Sequence, residues 1–505
     1  MVTTMADTGA RHTPGGSRGT PPVGFALRPC ARLLAALLAM SPSGLLAADL
    51  KVVPSLSASE TYSDNITLAP AGQEQGAFVT EVSPGISIRG SGARVKYHLD
   101  YSLTALFRTG DTGGNTIYHQ LAGDANAELV KQTLFVDARA SVRQQNISLL
   151  GPQGVDTTTN TGNITTVGTL SVSPYLRHRF GSFASTEVRY THDEVHYVDG
   201  GSNSSGDGIN LALNSGPAFN DVFWGANYSN RKAHYGTAPD TDFQNISGTV
   251  GYRLSRKFRV FATGGNESNS YQTIGSSTGG SFWSAGFGWT PSARTSLDAS
   301  YGHRFFGATR SLSFSHRTRL TTWNAAYSQD VTSVRALELM PVTGFIVYTD
   351  PTTGQKFVQI DPATGRPLLS TFDIPYLTDE TIIYKRLIGS VGIHTGKSMV
   401  SLSTYHTTQD QQLSGTSVNQ YGGDASWNWR FGGRTTSTLS AGWSRIEMPA
   451  SDRTDNLRYI RAILTRKFQP KVNGSVELRH QERDSNQPGS DYQENAIVAR
   501  VYMTF

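Results

Sequence analysis

Apolar and polar residues alternate along most of this chain, and the carboxyl-terminal segment shows the pattern most clearly. In residues 495–505, Phe505, Met503 and Val501 belong to an apolar or small face, and the residues between them form a mixed face. A β-strand with this alternation suits a lipid wall on one side and water on the other. An edge strand of a soluble sheet alternates in the same way, so other segments must decide between the two.

Short turns carrying Gly, Pro or a basic residue separate the alternating segments. Ten such turns are predicted, at 90–94, 130–132, 180–183, 214–221, 255–257, 291–294, 317–319, 395–397, 431–434 and 467–470. Longer segments rich in Asn, Asp, Ser, Gly and Thr lie between them. Ten hairpin turns, an opening strand near 52–62 and a closing strand predict about 22 strands, an even number in a range of about 18 to 26.

The positions of the tryptophans favour a membrane barrel over a soluble β-sandwich. All seven are expected on the apolar faces of predicted strands: Trp224, Trp283, Trp289, Trp323, Trp427, Trp429 and Trp443. Several lie within a few residues of a turn, which is the placement of an aromatic girdle at a membrane interface. The sequence therefore predicts an all-β fold, a single antiparallel transmembrane β-barrel with both termini on the periplasmic side.

The polar faces of the predicted strands define candidate lumen-lining residues. The charged candidates are Asp100, Arg108, Asp137, Arg139, Arg143, Glu187, Arg189, Asp298, Arg304, Glu477 and Arg479. A wall of mixed charge suits a hydrated polymer, and it is also ordinary packing inside a barrel. Since no tryptophan is predicted to face inward, a stacking track for sugar rings would have to come from Tyr or Phe.

Composition supports this class and argues against others. Only 16% of the residues are charged, which is low for an ordinary soluble domain, and 52 are glycine. No apolar run reaches the roughly 18 residues of a transmembrane helix, so a membrane form must be a closed barrel. Without the four Arg and one Asp of residues 1–48, 40 basic and 38 acidic groups remain, which gives no support for a nucleic-acid partner.

The first 48 residues are expected to be a secretory signal peptide with an overlong polar start. Arg28 and Arg32 precede an apolar run at 33–40, and cleavage is expected after Ala48. Cys30, the only cysteine, would leave with this segment. We therefore expect residues 49–505 in the outer membrane, with Phe505, Met503 and Val501 as the assembly signal for the barrel-assembly machinery.

One segment is a candidate for a chemical site, at 191–196. There His192, Glu194 and His196 would share one strand face near the outer rim. Residues two apart on a strand lie about 6.5 Å from each other, so a neighbouring pair could share a metal, but His192 and His196, four apart, are too far from each other for one ion. No nucleophile is followed by a recognisable base and orienting group. We prefer a polar rim that meets water, and expect no catalysis, no cofactor and no metal.

One predicted loop, at 331–381, is far longer than the others. It contains two Asp-Pro-x-Thr-Gly turns, at 350–354 and 361–365, each after a β-prone run, which predicts a small β-hairpin lobe. A barrel of about 22 strands is wider than an ordinary porin and needs something to narrow it. We expect this extracellular loop to gate or cover the mouth, and the other loops to be too short to do so.

The opening of the expected mature chain resembles a known family. Val53-Pro-Ser-Leu-Ser-Ala-Ser-Glu-Thr-Tyr-Ser-Asp-Asn-Ile-Thr-Leu-Ala-Pro70 and Phe78-Val-Thr-Glu-Val-Ser-Pro-Gly-Ile-Ser87 are similar to the start of the PEP-CTERM system-associated outer-membrane proteins, and 376–381 and 385–405 are similar to later parts. The resemblance implies a barrel encoded with exopolysaccharide production and protein-sorting machinery in Gram-negative bacteria. It supplies no catalytic residues.

The function predicted from the sequence is an outer-membrane barrel associated with exopolysaccharide export or assembly, acting as a conduit or docking wall. Its expected partners are outer-membrane lipid, the barrel-assembly machinery, and exopolysaccharide with its export proteins. A non-conducting structural or surface-interaction barrel is the first alternative, and a general porin is the second. A large active transporter is disfavoured, because few residues of the expected mature chain precede Val52, where a plug would lie.

Overall fold

In a computed structural model of the protein, the strands form one closed antiparallel barrel. The structure describes residues 49–110, 112–198, 200–340, 347–349, 356–358 and 376–505. Its main sheet has 22 strands, which confirms the predicted all-β barrel of about 22 strands. The expected signal peptide, residues 1–48, lies outside the described residues.

The described strands are numbered along the chain. They are β1 (Asp49–Ser63), β2 (Ala77–Ser91), β3 (Val95–Arg108), β4 (Thr116–Val130), β5 (Leu134–Asn146), β6 (Ile164–Phe180), β7 (Ala184–Tyr197), β8 (Ser204–Ser215), β9 (Val222–Tyr235), β10 (Thr241–Ser255), β11 (Phe258–Ser270), β12 (Gly280–Ser292), β13 (Thr295–Arg304), β14 (Gly307–Arg317), β15 (Thr321–Ser333), β16 (Val347–Thr349), β17 (Lys356–Val358), β18 (Thr381–His394), β19 (Ser398–Gln411), β20 (Ser417–Arg430), β21 (Thr435–Met448), β22 (Arg453–Gln469), β23 (Val472–Ser485) and β24 (Tyr492–Thr504). All but β16 and β17, which pair only with each other, belong to the barrel.

Helical structure in the described residues is short. Helix α1 (Val334–Leu339) follows β15 directly, and its N-cap Ser333 accepts a hydrogen bond from the backbone of Ala336. A single 3₁₀ turn, Pro449–Ser451, lies between β21 and β22. No helix in this part of the chain has the length and apolar character needed to cross a bilayer.

The first and last strands close the barrel. Strand β1 pairs with β24 from Ser55 opposite Thr504 to Ser63 opposite Ala496. The backbone N–H of Phe505 adds a hydrogen bond of 3.0 Å to the carbonyl of Pro54. Closure pairs both edges of the 22-stranded sheet, which is the condition for a sheet inside a lipid bilayer.

The two ends of the barrel differ in their connections. All ten predicted turns join consecutive strands at one end, where β1 begins and β24 ends, and we call this the turn end. The connections at the other end, the loop end, include 64–76, 147–163, 271–279 and 334–380. That the turn end faces the periplasm remains a prediction.

The outward faces of the strands carry apolar and aromatic side chains, as contact with lipid requires. The structure places all seven tryptophans on outward strand faces, and five of them (Trp224, Trp289, Trp323, Trp427 and Trp429) lie near the turn end. Trp427 stacks on Trp429 with ring centroids 5.4 Å apart. Outward Ile246, Val250 and Leu254 are more than half exposed. This is a barrel of the outer-membrane kind, with an aromatic girdle along one rim.

Candidate functional site

The lumen is the candidate functional site, and its walls are set by strand register. The structure places all eleven charged lumen candidates on inward faces. Several are joined by ion pairs: Arg189 reaches Asp137 at 2.8 Å and Glu187 at 3.0 Å. Glu477 pairs with Arg461 of β22 rather than with Arg479 on its own strand. The wall charges therefore bond mainly across strands, as neighbouring inward residues do in a sheet.

Residues 147–163, which connect β5 to β6 and are called the inner loop below, fold into the lumen at the loop end. Leu149 is 2% exposed and packs in a cluster with Tyr405, Val418 and Leu457 of strands β19, β20 and β22. Farther along, the hydroxyl of Tyr492 in β24 donates to the carbonyl of Gln153 at 2.9 Å. Strands β19 and β20 lie across the barrel from β5 and β6, so the inner loop crosses the lumen.

Two arginines of strands β22 and β23 hold the first half of the inner loop. Arg483 donates to the carbonyl of Leu150 at 3.0 Å and to that of Gly151 at 2.5 Å. Arg453 also donates to Leu150, at 2.8 Å. Both guanidiniums pair with Asp455, and the side chains of Arg483 and Asp455 are 1% and 0% exposed. Such buried, charge-assisted bonds are among the stronger contacts available to a loop.

The second half of the inner loop is held by an ion pair between Asp156 and Arg479. The side chain of Arg479 is 1% exposed and also bonds Glu494 at 3.1 Å. Burial alone would raise the pKa of Asp156, but the charge of Arg479 and hydrogen bonds from Thr158 lower that pKa below its ordinary range. Asp156 is therefore a charged anchor at neutral pH.

Further bonds fix the tip and the neck of the inner loop. The carbonyl of Thr158 accepts two hydrogen bonds of 3.2 Å from Arg108, one of the predicted lumen residues. At the neck, Asn163 donates to the carbonyls of Ser148 and Pro152 at 2.8 and 3.0 Å. The inner loop is thus bonded along its whole length, and it narrows the loop end.

Helix α1, at the start of the long connection, also lies inside the barrel. Arg335 donates to the hydroxyl of Ser204 at 2.8 Å and forms an ion pair with the buried Asp193. Glu338 pairs with Arg143, another predicted lumen residue. Strands β16 and β17 lie where the hairpin lobe was predicted, and the rest of 341–375 lies outside the described residues.

The expectation that only the segment at 331–381 could narrow the lumen is wrong, because the inner loop does so. Extended chain covers up to about 3.5 Å per residue, so a loop of this size is long enough to cross a lumen. Arg453, Asp455 and Arg483 were not among the residues predicted from the sequence. Their available signal was an unusual concentration of Arg and acidic residues on the inward faces of β22 and β23.

The inner faces of β10–β15 are different, and we call them the hydroxyl wall. Serine and threonine are the largest group among their inward side chains: Ser247, Thr249, Thr263, Ser284, Ser296, Ser300, Thr309, Ser311, Ser313, Ser315 and Ser328. Pairs across strands bond each other, such as Ser300 with Ser311 at 2.6 Å. Ser311, Ser313 and Ser315 are exposed although they point inward. The hydroxyl wall therefore faces open, water-accessible lumen.

Four inward phenylalanines lie at successive levels between the turn end and the loop end on this side of the barrel, and we call them the phenylalanine track. They are Phe223, Phe261, Phe282 and Phe243. The first two lie opposite Gly251 of β10, Phe282 is level with Ser247, and Phe243 is four residues farther toward the loop end. At about 3.3 Å per strand residue, successive levels are roughly 13 Å apart.

Two glycines let two of these rings, those of Phe282 and Phe261, lie flat against the wall. A Cβ added at Gly265 would come within 2.6 Å of the ring of Phe282, and one at Gly286 within 2.7 Å of the ring of Phe261. Any larger residue would push either ring away from the sheet. The track is the Phe alternative that the sequence left open for stacking sugar rings.

The histidine segment lies on the outer face of β7. Glu194 stands between His192 and His196, with N–O distances of 3.8 and 3.3 Å, and His192 also contacts Asp207 at 2.9 Å. No group of three or more potential ligands in the described residues is arranged to hold a metal ion. The absence of catalysis, cofactor and metal stays a prediction.

Comparisons with known proteins give neighbours in structure only. No protein-family model and no curated protein sequence matches the chain. Similar solved structures include the siderophore receptor PirA from Acinetobacter baumannii, with 9% identity, coverage of 90% of this chain and 80% of that chain, and a TM-score of 0.49. The ferric-catecholate import receptor Fiu from E. coli K12 has 9% identity, 90% and 82% coverage, and a TM-score of 0.48. These low values give no basis for transferring what the receptors bind.

Proposed function

We propose that the protein is an outer-membrane conduit for exopolysaccharide, in which the polymer passes along the hydroxyl wall. The observation that carries the proposal is a water-accessible wall of alcohols with aromatic rings at repeated levels. Alcohol side chains both donate and accept hydrogen bonds, as sugar hydroxyls do, and aromatic rings offer apolar faces to the C–H faces of sugars. Conduction needs binding that is weak and divided over several sites, and such a wall supplies it.

The resemblance of the opening segment to PEP-CTERM system-associated proteins supports the same proposal. That family is associated with exopolysaccharide production, and a barrel encoded beside such machinery would provide its outer-membrane step. Export proteins and the polymer itself are the partners that follow from the proposal.

The proposal can be tested in a strain that lacks the protein. We expect polysaccharide to be retained inside such cells, and a wild-type copy to restore it at the surface. A copy with Ser313→Trp, which places a bulky ring in the lumen, should restore export poorly. The matched control is Leu312→Trp, because Leu312 points outward toward lipid. Normal surface polysaccharide in the strain without the protein would contradict the proposal.

A second function, a non-conducting structural barrel, is favoured by the packed inner loop. In that case the purified protein would carry no current in planar bilayers. The variants Ser313→Trp and Leu312→Trp would then restore the cell surface of a strain lacking the protein to the same extent. A measurable current that Ser313→Trp reduces and Leu312→Trp leaves unchanged would exclude it. A general porin, the remaining alternative, would conduct small solutes but leave polysaccharide export intact when lost.

A further inference from the structure

A cavity of about 410 Å³ opens at the loop end of the hydroxyl wall. It lies between the inner faces of β9 and β15, next to Phe282 and Phe243, the two members of the phenylalanine track nearest the loop end. The residues that matter here are Phe243, Asn245, Glu267, Phe282, Arg304 and Asp330. Cavities of roughly 300 to 1,000 Å³ are the usual size for binding small ligands.

An ion-pair network forms the floor of the cavity. Arg304 binds both carboxylate oxygens of Glu267, at 2.6 and 2.5 Å, and reaches Asp330 at 2.7 Å. The side chain of Glu267 is 3% exposed, whereas that of Asp330 is 68% exposed. One guanidinium against two carboxylates leaves an excess negative charge, which repels anionic ligands.

Polar atoms without protein partners remain available beside this network. Asp330 accepts hydrogen bonds from Arg304 and from the backbone of Val331 at Oδ1, so Oδ2 has no hydrogen-bond partner among the described residues. The side-chain amide of Asn245 likewise has none there. An exposed carboxylate oxygen accepts hydrogen bonds from hydroxyls, and an amide both donates and accepts them.

Two aromatic rings complete the cavity. Phe282 lies over Gly265, so the face of its ring that is turned away from the sheet looks toward the lumen. Phe243 packs beside Tyr271 of the 271–279 loop, with ring centroids 5.9 Å apart. Burial raises the pKa of Tyr271 to about 12, so its phenol stays neutral at physiological pH. The apolar ring surfaces are therefore flanked by neutral polar groups and by the charged network of the floor.

We propose that this cavity is a binding subsite for a short, neutral stretch of saccharide. The rings accept the apolar faces of the sugars, Asn245 and Asp330 bond their hydroxyls, and the excess negative charge selects against acidic sugars such as uronates. The source of the ligand rests on the proposed conduit function. The subsite itself requires only that sugars reach the lumen.

The test is calorimetric binding to the full mature barrel in detergent. The probes are maltohexaose, cellohexaose and chitohexaose as neutral saccharides, and hexagalacturonate as the acidic one. We expect at least one neutral probe to bind more tightly than hexagalacturonate. Phe282→Ala should weaken that binding about fivefold to tenfold, and Asn245→Ala or Asp330→Asn should weaken it severalfold.

Phe287→Ala is the matched control, because Phe287 lies on the same strand, β12, but on its outward face, away from the lumen. It should leave affinity unchanged. Phe282→Leu keeps the apolar volume and removes the ring, so it replaces Phe282→Ala if that variant does not assemble. Tighter binding of hexagalacturonate, no binding of any neutral probe, or equal effects of the two phenylalanine substitutions would each overturn the subsite.

The outcomes separate this inference from the conduit function. Neutral-probe binding that depends on Phe282, in a protein whose loss leaves export intact, supports the subsite and overturns the conduit. Loss of export in the strain without the protein, together with no binding of the neutral probes, does the opposite.

Discussion

The two sides of the lumen are built from the same kind of strand but carry different inward side chains. Strands β22–β24 present Arg and acidic residues that are almost fully buried against the inner loop. Strands β10–β15 present mainly serine, threonine and glycine beside a few charged residues, and Ser311, Ser313 and Ser315 of β14 are open to water. The side formed by β22–β24 holds the inner loop in the lumen. The side formed by β10–β15 leaves its polar surface uncovered.

This difference follows from what each side chain requires. A buried guanidinium must be paired, so Arg479 and Arg483 draw carboxylates and carbonyls toward the wall. A small alcohol is satisfied by its neighbour, as Thr249 is by Thr263 at 2.8 Å, or by water. In this barrel, charged residues therefore mark the wall that holds the inner loop, and small uncharged polar residues mark the wall that stays open to the lumen.

The largest effect is expected from removing the inner loop. Replacing residues 149–161 with a short Gly/Ser linker keeps the neck bond between Ser148 and Asn163 and should raise single-channel conductance severalfold. The reason is that the inner loop occupies the lumen beside β22–β24, and its removal opens that space to ions. The matched variant replaces 341–375, within the long connection that is expected to gate the mouth, with the same linker. An equal or larger conductance in that second variant would move the main constriction to the long connection.

A large difference is also expected between two inward arginines. Arg483→Ala leaves Asp455 buried next to Arg453 alone and should lower the free energy of unfolding by about 3 to 5 kcal/mol. Arg259→Ala removes an ion pair with Asp298 whose side chains are 50% and 40% exposed, and should cost about 1 kcal/mol or less. Denaturant unfolding in detergent measures both. Similar losses would show that the two sides are equally packed.

Cysteine labelling compares accessibility directly. Residues 49–505 contain no cysteine, so single substitutions report cleanly. Ser313→Cys on the hydroxyl wall should react with a charged thiosulfonate faster than Ser63→Cys by an order of magnitude or more, because thiol reactivity requires exposure. Ser63 is 0% exposed and its hydroxyl bonds Glu494 at 2.7 Å. Equal rates would mean that the hydroxyl wall is covered.

Features set by local pattern could be predicted from the sequence. The ten turns, the even strand number and the outward tryptophans all follow from alternation with period two and from turn residues next to it. Arg108 and Glu477 were placed on inward faces for the same reason, since one strand fixes the face of each of its residues. None of these inferences needs knowledge of a distant contact.

The inner loop could not be predicted in this way. Its bond between Gln153 and Tyr492 joins residues 339 positions apart, and no periodic signal connects them. The phenylalanine track is an intermediate case: parity turns Phe261 and Phe282 inward, but their spacing depends on the register of three strands. Register is set jointly by turns and cross-strand packing, which a single strand does not reveal.

The smallest effect is expected from acid, and it concerns the anchor between Asp156 and Arg479. Because the pKa of Asp156 is lowered in the folded protein, its stabilising contribution is complete above the ordinary pKa of about 3.9 and is lost as pH falls through the lower, folded value. Conductance should therefore stay constant from pH 7 to 5 and rise only below about pH 4. Asp156→Asn should show slightly higher conductance already at pH 7 and a smaller rise in acid. A rise of the wild-type conductance between pH 7 and 5, retained in Asp156→Asn, would assign the response to another group and leave this contact without a part in holding the inner loop.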